Sequence, residues 1–302
     1  MSGGAPPEAP RADDGLGRHP GFRSGFVALV GRPNVGKSTL LNRILGTKVS
    51  ITSRSPNTTR TAIRGVLDNP DHQIVFVDTP GIHKPRSVLG ERLNERAEAS
   101  IDSVDHSVLV VDATAAVGRG DRFVADTLSG RVTVVVNKID ATNPAVVLRQ
   151  LEVAATSLEL DEAEYFPVSA RTGRGVDAFV AHLVEALPPG PRYYPSGMVH
   201  DIPEAFFVAE LVREQLLRVA KEELPHSIAC RVTEWEWPYI RCEVLVERES
   251  QKSIVIGRNG AVLKAAGVAA RAQLPPGAYL DLHVRVERDW QRRRDMIEEL
   301  GY

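Results

Sequence analysis

The octapeptide GRPNVGKS, Gly31 to Ser38, constrains this chain more than any other segment, because glycines, a lysine and a serine at that spacing suit a loop wrapped around phosphate groups. It follows the apolar run FVALV and precedes a helical run from Ser38 to Leu45, the strand-loop-helix context that such a loop requires. In that setting Gly31, Arg32, Pro33, Asn34, Val35 and Gly36 form the cradle, and the helix start at Ser38 and Thr39 turns backbone N–H groups toward an anion. Lys37 would neutralise β and γ oxygens, and the Ser38 hydroxyl would ligate Mg2+.

From Gly25 to about Leu187 the runs FVALV, QIVFV, SVLVV, VTVVV and EYFPV alternate with helix-length segments. Strands apolar throughout indicate a mainly parallel sheet covered on both faces, an α/β domain whose ligands bind at the strands' carboxyl ends. Residues 1–24 are rich in proline, glycine and charge, lack the apolar core of a signal peptide, and read as a disordered, dispensable tail. Residues 25–188 form the first domain, the proline-rich stretch 189–201 a linker, and residues 202–302 a second domain. At 302 residues and 43% hydrophobic composition, the chain can bury two such cores. No apolar run approaches the roughly 20 residues needed to span a bilayer. Cys230 and Cys242 lie in strand-like segments and read as buried thiols in a reducing compartment.

Further motifs follow the strands. Asp78, Thr79, Pro80, Gly81 and Ile82 follow QIVFV; an Asp there can hold Mg2+ through water, and the Gly81 N–H can sense a γ-phosphate. Asn137, Lys138, Ile139 and Asp140 follow VTVVV. A carboxylate at Asp140 would accept from the ring N–H and amino group of guanine and face an acceptor on adenine, which selects guanine. Lys138 would pack over the base, Asn137 would tie this loop to the phosphate loop, and Ser169 and Ala170 would approach the guanine oxygen. In the polar segment NTTRT, Thr59 is the preferred residue to complete the Mg2+ shell, with Thr58 as the alternative. Lys37, Thr59 and Gly81 are then the groups acting at the γ-phosphate, and Ser38, Thr59 and Asp78 the metal set.

In the second domain, Glu204 to Glu223 has helical spacing (Phe207, Leu211, Leu216, Val219), and His226 to Trp235 and Tyr239 to Glu247 look like paired strands. A GxxG turn, Gly257, Arg258, Asn259 and Gly260, precedes a helix from Ala261 to Ala272 and an alternating strand around Leu280 to Val286; a polar helix, Asp289 to Leu300, closes the chain. Such a turn lets a sugar-phosphate backbone approach a helix N-terminus, with Lys252, Arg258 and Lys264 supplying charge and Ile256 an apolar wall. From Asp201 to Tyr302 there are 15 Lys and Arg against 17 Asp and Glu, so RNA affinity would depend on a groove rather than on bulk charge.

These segments in this order resemble the TrmE-Era branch of the TRAFAC class of GTPases, through the TTR of residues 58–60 and the asparagine of GRPNVGKS. The second domain, with VERESQKSIVIGRNG and a terminal LGY, is similar to the KH-domain GTPases of ribosome assembly. The resemblance implies a P-loop GTPase domain followed by a smaller α+β type II KH domain. It also implies Mg2+-dependent turnover of GTP to GDP, binding of 16S rRNA, and assistance to 30S subunit maturation. The same likeness implies a cytoplasmic monomer with peripheral contact at the inner face of the membrane. Asn34 stands where potassium-activated relatives help bind K+, and Ile82 where Ras-like enzymes place a water-orienting glutamine, so slow intrinsic hydrolysis is expected. The competing reading keeps the GTPase and makes the second domain a protein or membrane adaptor.

Overall fold

The structure, a computed structural model, describes residues 21–53, 55, 57–83, 87–219 and 227–302. Six strands form the first sheet: β1 (Arg23–Val30), β2 (Ile63–Asp68), β3 (His72–Asp78), β4 (His106–Asp112), β5 (Val132–Asn137) and β6 (Glu164–Pro167). Their order is β2-β3-β1-β4-β5-β6, and every pair is parallel except β2 with β3 at the edge. Parallel strands covered on both faces need apolar side chains on both. Accordingly Val27, Leu29, Phe76 and Val108 pack with α1 (Lys37–Leu45) and α5 (Val176–Ala186). Ala28, Val30, Leu109 and Val134 pack with α2 (Val88–Ile101), α3 (Arg119–Ala125) and α4 (Pro144–Ser157). Because β1 lies between β3 and β4, its carboxyl end opens at the point where strand order reverses, which is where such sheets bind ligands.

Two details of the first domain differ from expectation. The sequence places the end of the tail at residue 24; residues 1–20 lie outside the described residues, but Phe22 is buried and β1 begins at Arg23. Arg23 pairs with His72, and the Ser24 hydroxyl donates to the Pro191 carbonyl at 2.6 Å, so two polar residues conceal strand that apolar runs reveal elsewhere. Arg64 and Gly65 likewise interrupt β2, which the apolar runs do not reveal. The stretch 189–201 has no helix or strand of its own, yet it is strapped to the sheet edge. The buried Gln73 accepts from the N–H groups of Tyr193 and Tyr194, and Arg192 pairs with Asp68 at 3.0 Å.

The second domain runs α6 (Glu204–Val219), β7 (Ala229–Glu236), β8 (Tyr239–Val246), α7 (Glu249–Ile256), α8 (Ala261–Arg271), β9 (Tyr279–Val286) and a short α9 (Arg294–Glu299). β8 is central, antiparallel to β7 and parallel to β9. This is the type II KH arrangement. Helix α7 is an addition to the expected elements, since eight residues of mixed polarity carry little periodic signal. The closing polar helix is corrected: Trp290, Met296, Ile297, Leu300 and Tyr302 are buried, and a 3-10 turn at Trp290–Arg292 precedes α9. Helix α6 is buried on every side from Val208 to Leu217, polar residues included, because the first domain covers its polar face; Val219, expected inside, is exposed. The expected end of that helix at Glu223 and the expected start of the following strand at His226 fall outside the described residues. Cys230 and Cys242 are buried and unbridged. Among the described residues, no helix is long and apolar enough to cross a membrane.

At the opposite end of the first sheet from the ligand edge, His106 begins β4 and is buried. Its Nε2 lies 2.8 Å from Thr133 Oγ1, which lies 2.9 Å from His182 Nε2. Burial first, then the charges of His182 and Arg131, push His106 down from 6.5 to about 4. The neutral ring is the folded form, so between those values the unfolded chain binds more protons and stability falls as pH drops through the window. His106→Gln should flatten the fall in melting temperature between about pH 7 and pH 5. The wild-type loss attributable to this group by pH 5 is on the order of 1 kcal/mol after allowing for partial solvent access. A variant that melts with the wild-type pH slope would contradict this.

Candidate nucleotide site and nucleic-acid groove

The loop from β1 to α1 turns through left-handed backbone at Asn34 (φ 66°) and Gly36 (φ 101°). A side chain at Gly36 would also collide with the Asn137 amide, so glycine is required twice over. Lys37 is buried, and its ammonium donates to the carbonyls of Gly31 at 2.9 Å and Arg32 at 3.1 Å. Burial lowers its pKa to about 8, against the opposing pull of Asp78. Two neutral carbonyls compensate a buried cation poorly, so an anion held in this loop gains a partner already in place. Thr39 lines, with Ser38, Ile51 and Lys138, a cavity of about 290 Å3. The Val35 side chain enters the α1–α5 core. Arg32 turns away: its guanidinium meets Asp121 of α3 at 2.8 Å, so its side chain does not face the cradle as its motif position suggested.

The three groups expected to hold a metal converge. Ser38 Oγ and Thr59 Oγ1 lie 2.9 Å apart, and Thr59 Oγ1 donates to Asp78 Oδ2 at 3.4 Å. Asp78 is fully buried, and its Oδ1 has no partner among the described residues. Burial raises its pKa, while Lys37 and the hydroxyls of Ser38, Ser50 and Thr59 pull the other way. Adjacent ligands of an octahedral Mg2+ with bonds of about 2.1 Å stand about 3 Å apart. The hydroxyl spacing and the unsatisfied carboxylate oxygen therefore fit Mg2+. Thr58 lines the same cavity, but its hydroxyl donates to the Ser55 carbonyl at 2.6 Å rather than joining the three. Gly81 backs onto Pro33, Pro80 is buried, and Thr79 donates its hydroxyl to the Leu29 carbonyl at 2.8 Å. Ile82 is corrected: its motif position puts it among the nucleotide-facing residues, but its side chain is fully buried in the core beneath α2–α4 and cannot line the site.

At the other end of the cleft, Asn137 donates to the Val35 carbonyl at 2.9 Å and accepts from the Ala170 N–H at 3.0 Å, tying three loops together as expected. Lys138 takes a left-handed backbone and donates to the Asn34 carbonyl at 2.7 Å and to Asp112. Asp112, at the end of β4, is absent from the expected set; an Asp closing SVLVV was the available signal. Ile139 is buried and anchors the loop. Asp140 accepts from the Ser169 hydroxyl and pairs with Arg171 at 2.7 Å, and these partners hold its carboxyl below the usual range. Each carboxylate oxygen keeps a further lone pair for a donor in the cleft.

The segment carrying Thr59 is also an interface. Arg213 of α6 donates to the Thr58 carbonyl, and Arg60 donates to the Ile228 carbonyl at 2.8 Å. The Arg60 guanidinium lies 5.5 Å from the Trp290 ring and 5.1 Å from the Tyr302 ring. Thr61 and Arg96 of α2 both donate to the Gly301 carbonyl, and Leu89 and Leu93 of α2 join the cluster around Trp290 and Ile297. Sequence reasoning assigns Arg60 nothing beyond family likeness.

In the second domain, Gly257 (φ 74°) and Gly260 (φ 75°) bracket exposed Arg258 and Asn259. A Cβ at Gly257 would fall 2.5 Å from Val262 Cγ2, so this turn has no room for one. Beside it, between α8 and β9, a groove of about 400 Å3 is lined by Leu263, Lys264, Val268, Arg271, Tyr279 and Leu280. Lys264 faces it as expected. Ile256 instead packs against the domain core, and neither it nor Lys252 lines the groove. Arg271 and Tyr279 escape sequence reasoning, the latter because a strand tyrosine reads as ordinary sheet.

The family described as 50S ribosome-binding GTPase matches residues 26–138, and the KH domain family matches residues 223–291. The GTPase Era of Mycobacterium tuberculosis is 45% identical over 298 residues, covering 93% of this chain and 99% of that protein. The crystal structure of a variant of Aquifex aeolicus Era bound to GDP.AlF4- superposes with a TM-score of 0.88 at 38% identity, covering 93% of this chain and 99% of the other. A structure of Era in complex with MgGDPNP and nucleotides 1506-1542 of 16S ribosomal RNA also has a TM-score of 0.88, at 39% identity with the same coverage. On identity, coverage and the sharing of both domains, this chain belongs to the Era family of GTPases, GTP-hydrolysing enzymes with a P-loop domain followed by a KH domain.

Proposed function

We propose that the chain is a Mg2+-dependent GTP switch that controls binding of 16S rRNA in the groove between α8 and β9 and so assists maturation of the 30S subunit. The observation that carries the reading is the position of Thr59: the residue whose hydroxyl meets Ser38 and Asp78 lies between two residues bonded into the KH domain. Ser38 and Thr59 would ligate the metal directly and Asp78 through water; when bound, Mg2+ neutralises charge developing on the phosphates. Lys37 and the N–H groups of residues 34–39 hold the phosphates, the Gly81 N–H senses the γ-phosphate, and Asp140 reads guanine, with Ser169 and Ala170 closing the base side. No glutamine stands beside Gly81, so intrinsic turnover is slow. Domain limits of 25–188 and 202–302 belong to the same reading, with residues 22–24 added to the first. So does a cytoplasmic, monomeric protein with peripheral membrane contact, which family likeness alone supports.

The relative solved with a 16S rRNA segment supports the RNA assignment, as do a GxxG turn that exposes Arg258 and Asn259 and a groove that pairs apolar walls with Lys264 and Arg271. Asp140→Asn should lower the preference for guanine over xanthine nucleotides by about 10- to 100-fold, the worth of a hydrogen bond to a charged group. A competition titration that finds the preference unchanged would remove Asp140 from the base site. Replacing Arg258 and Asn259 by Asp should abolish crosslinking to a single-stranded rRNA 3′ segment while GTP affinity stays at the wild-type value. Persistent crosslinking would favour the adaptor reading. With Asn34 as a K+ ligand, turnover should be several-fold faster in K+ than in Na+ buffer; equal rates would eliminate that role.

A further inference from the structure

Asp78 ends β3 inside the protein, and its two oxygens have unequal surroundings. Oδ2 accepts from the Ser50 hydroxyl at 2.8 Å as well as from Thr59, whereas Oδ1 is buried and unpartnered among the described residues. Ser50 is 1% exposed. Its hydroxyl is thus the shorter of the two bonds that fix the rotation of this carboxylate.

The segment around Ser50 is held from both domains. From α1, Asn42 Oδ1 accepts from the N–H groups of Val49 at 2.9 Å and Ser50 at 3.0 Å, and Asn42 Nδ2 donates to the Ser50 carbonyl at 2.7 Å. From α6 of the KH domain, the buried Glu214 accepts from the Thr52 N–H at 2.9 Å and pairs with the Lys48 ammonium, which also donates to Gln273 at 2.6 Å. Val49 and Ile51 alternate with these residues and are fully buried. Residues 48–52 therefore form a strap pinned by amide bonds on one side and by a KH-domain carboxylate on the other. Ile51 and Thr52 of this strap line the nucleotide cavity, and the group it delivers to Asp78 is the Ser50 hydroxyl.

We propose that Ser50 is a positioning residue for the divalent cation, that it holds Asp78 in the rotamer that serves the cation's water shell, and that Glu214 sets the strap, so that docking of the KH domain raises divalent-cation affinity. The proposal rests on the assignment of Ser38, Thr59 and Asp78 to the Mg2+ shell. Groups one shell removed from a metal orient its ligands, and their loss typically costs about 10- to 100-fold in affinity. Glu214 is a KH-domain group acting on a G-domain metal, so the coupling is reciprocal: a bound cation must favour the docked KH domain by the same factor.

The experiment follows release of a fluorescent N-methylanthraniloyl GDP from the full chain as a function of Mg2+ concentration, with melting temperature recorded for every variant. Ser50→Ala should raise the Mg2+ concentration for half-maximal slowing by about tenfold, with release in excess chelator unchanged. Ser50→Thr, which keeps the hydroxyl, should return the half-point to within about threefold of wild type, and Glu214→Gln should shift it in the same direction as Ser50→Ala but less, because a neutral acceptor remains. An unchanged half-point in Ser50→Ala, or a change in chelator equal to that in Mg2+, would overturn the proposal. If Ser50→Ala fails to fold, an unchanged half-point in Glu214→Gln overturns it instead. Asp78→Asn separates the two levels: if it too leaves the half-point unchanged, the Mg2+ assignment itself fails, whereas a shift in Asp78→Asn without one in Ser50→Ala defeats only the role of Ser50.

Discussion

A guanidinium removed from water needs acceptors and an attractive surface, and Arg60 has both in the KH domain: the Ile228 carbonyl and the faces of Trp290 and Tyr302. It lies beside a second buried arginine, Arg213, whose charge is matched by a two-pronged contact with Glu210 at 2.6 and 2.7 Å. Burial and the repulsion from Arg213 both lower the Arg60 pKa. Each cation–π contact contributes roughly 0.5–2 kcal/mol, and a hydrogen bond from a charged group about 1.5–3 kcal/mol. The arrangement is therefore strongly conditional: it is stable while the loop stays in place and costly once the loop leaves. Thr59 is the neighbour of Arg60. Whatever fixes Thr59 beside Ser38 and Asp78 also fixes Arg60 in the KH domain.

The remaining contacts between domains act on the same parts. Helix α2 follows the Asp78–Ile82 segment and packs Leu89 and Leu93 against the terminal Trp290–Tyr302 cluster, while Arg96 reaches the Gly301 carbonyl. The loop carrying Thr59 and the helix that follows the loop carrying Gly81 thus both contact one domain. Coupling free energies of about 1–3 kcal/mol are typical between linked sites. A few hydrogen bonds and the contacts of Arg60 are interactions of that order. The groove between α8 and β9 belongs to the same domain, and the near balance of charge in that domain would leave RNA affinity to local geometry.

Much of this was legible in the residues. Strands of a doubly covered sheet must be apolar throughout, so FVALV, QIVFV, SVLVV and VTVVV announced themselves, and the motifs following them gave the cleft. Polar side chains where loops meet carried over: Asn137 joins its loops, and Ser38, Thr59 and Asp78 meet. Other side-chain directions did not. Ile82 and Arg32 occupy motif positions, yet one packs into the core and the other pairs with Asp121. Features created only by the meeting of two domains left no periodic trace. Helix α6 hides its polar face under the first domain, Trp290 to Tyr302 reads as polar helix until Arg60 enters it, and Ser50 is one serine in a polar segment until Asp78 lies against it.

On the proposed reading, the segment around Thr59 transmits nucleotide state to the RNA groove through Arg60. Its most direct test is the affinity of the full chain for a single-stranded rRNA 3′ segment, measured with a non-hydrolysable GTP analogue and with GDP, in wild type and in Arg60→Ala. The account predicts at least about a fivefold difference between the two nucleotide states in wild type and its disappearance in Arg60→Ala, with nucleotide affinity retained. Equal RNA affinities in the two states of the wild-type protein, or a difference that survives in Arg60→Ala, would contradict it.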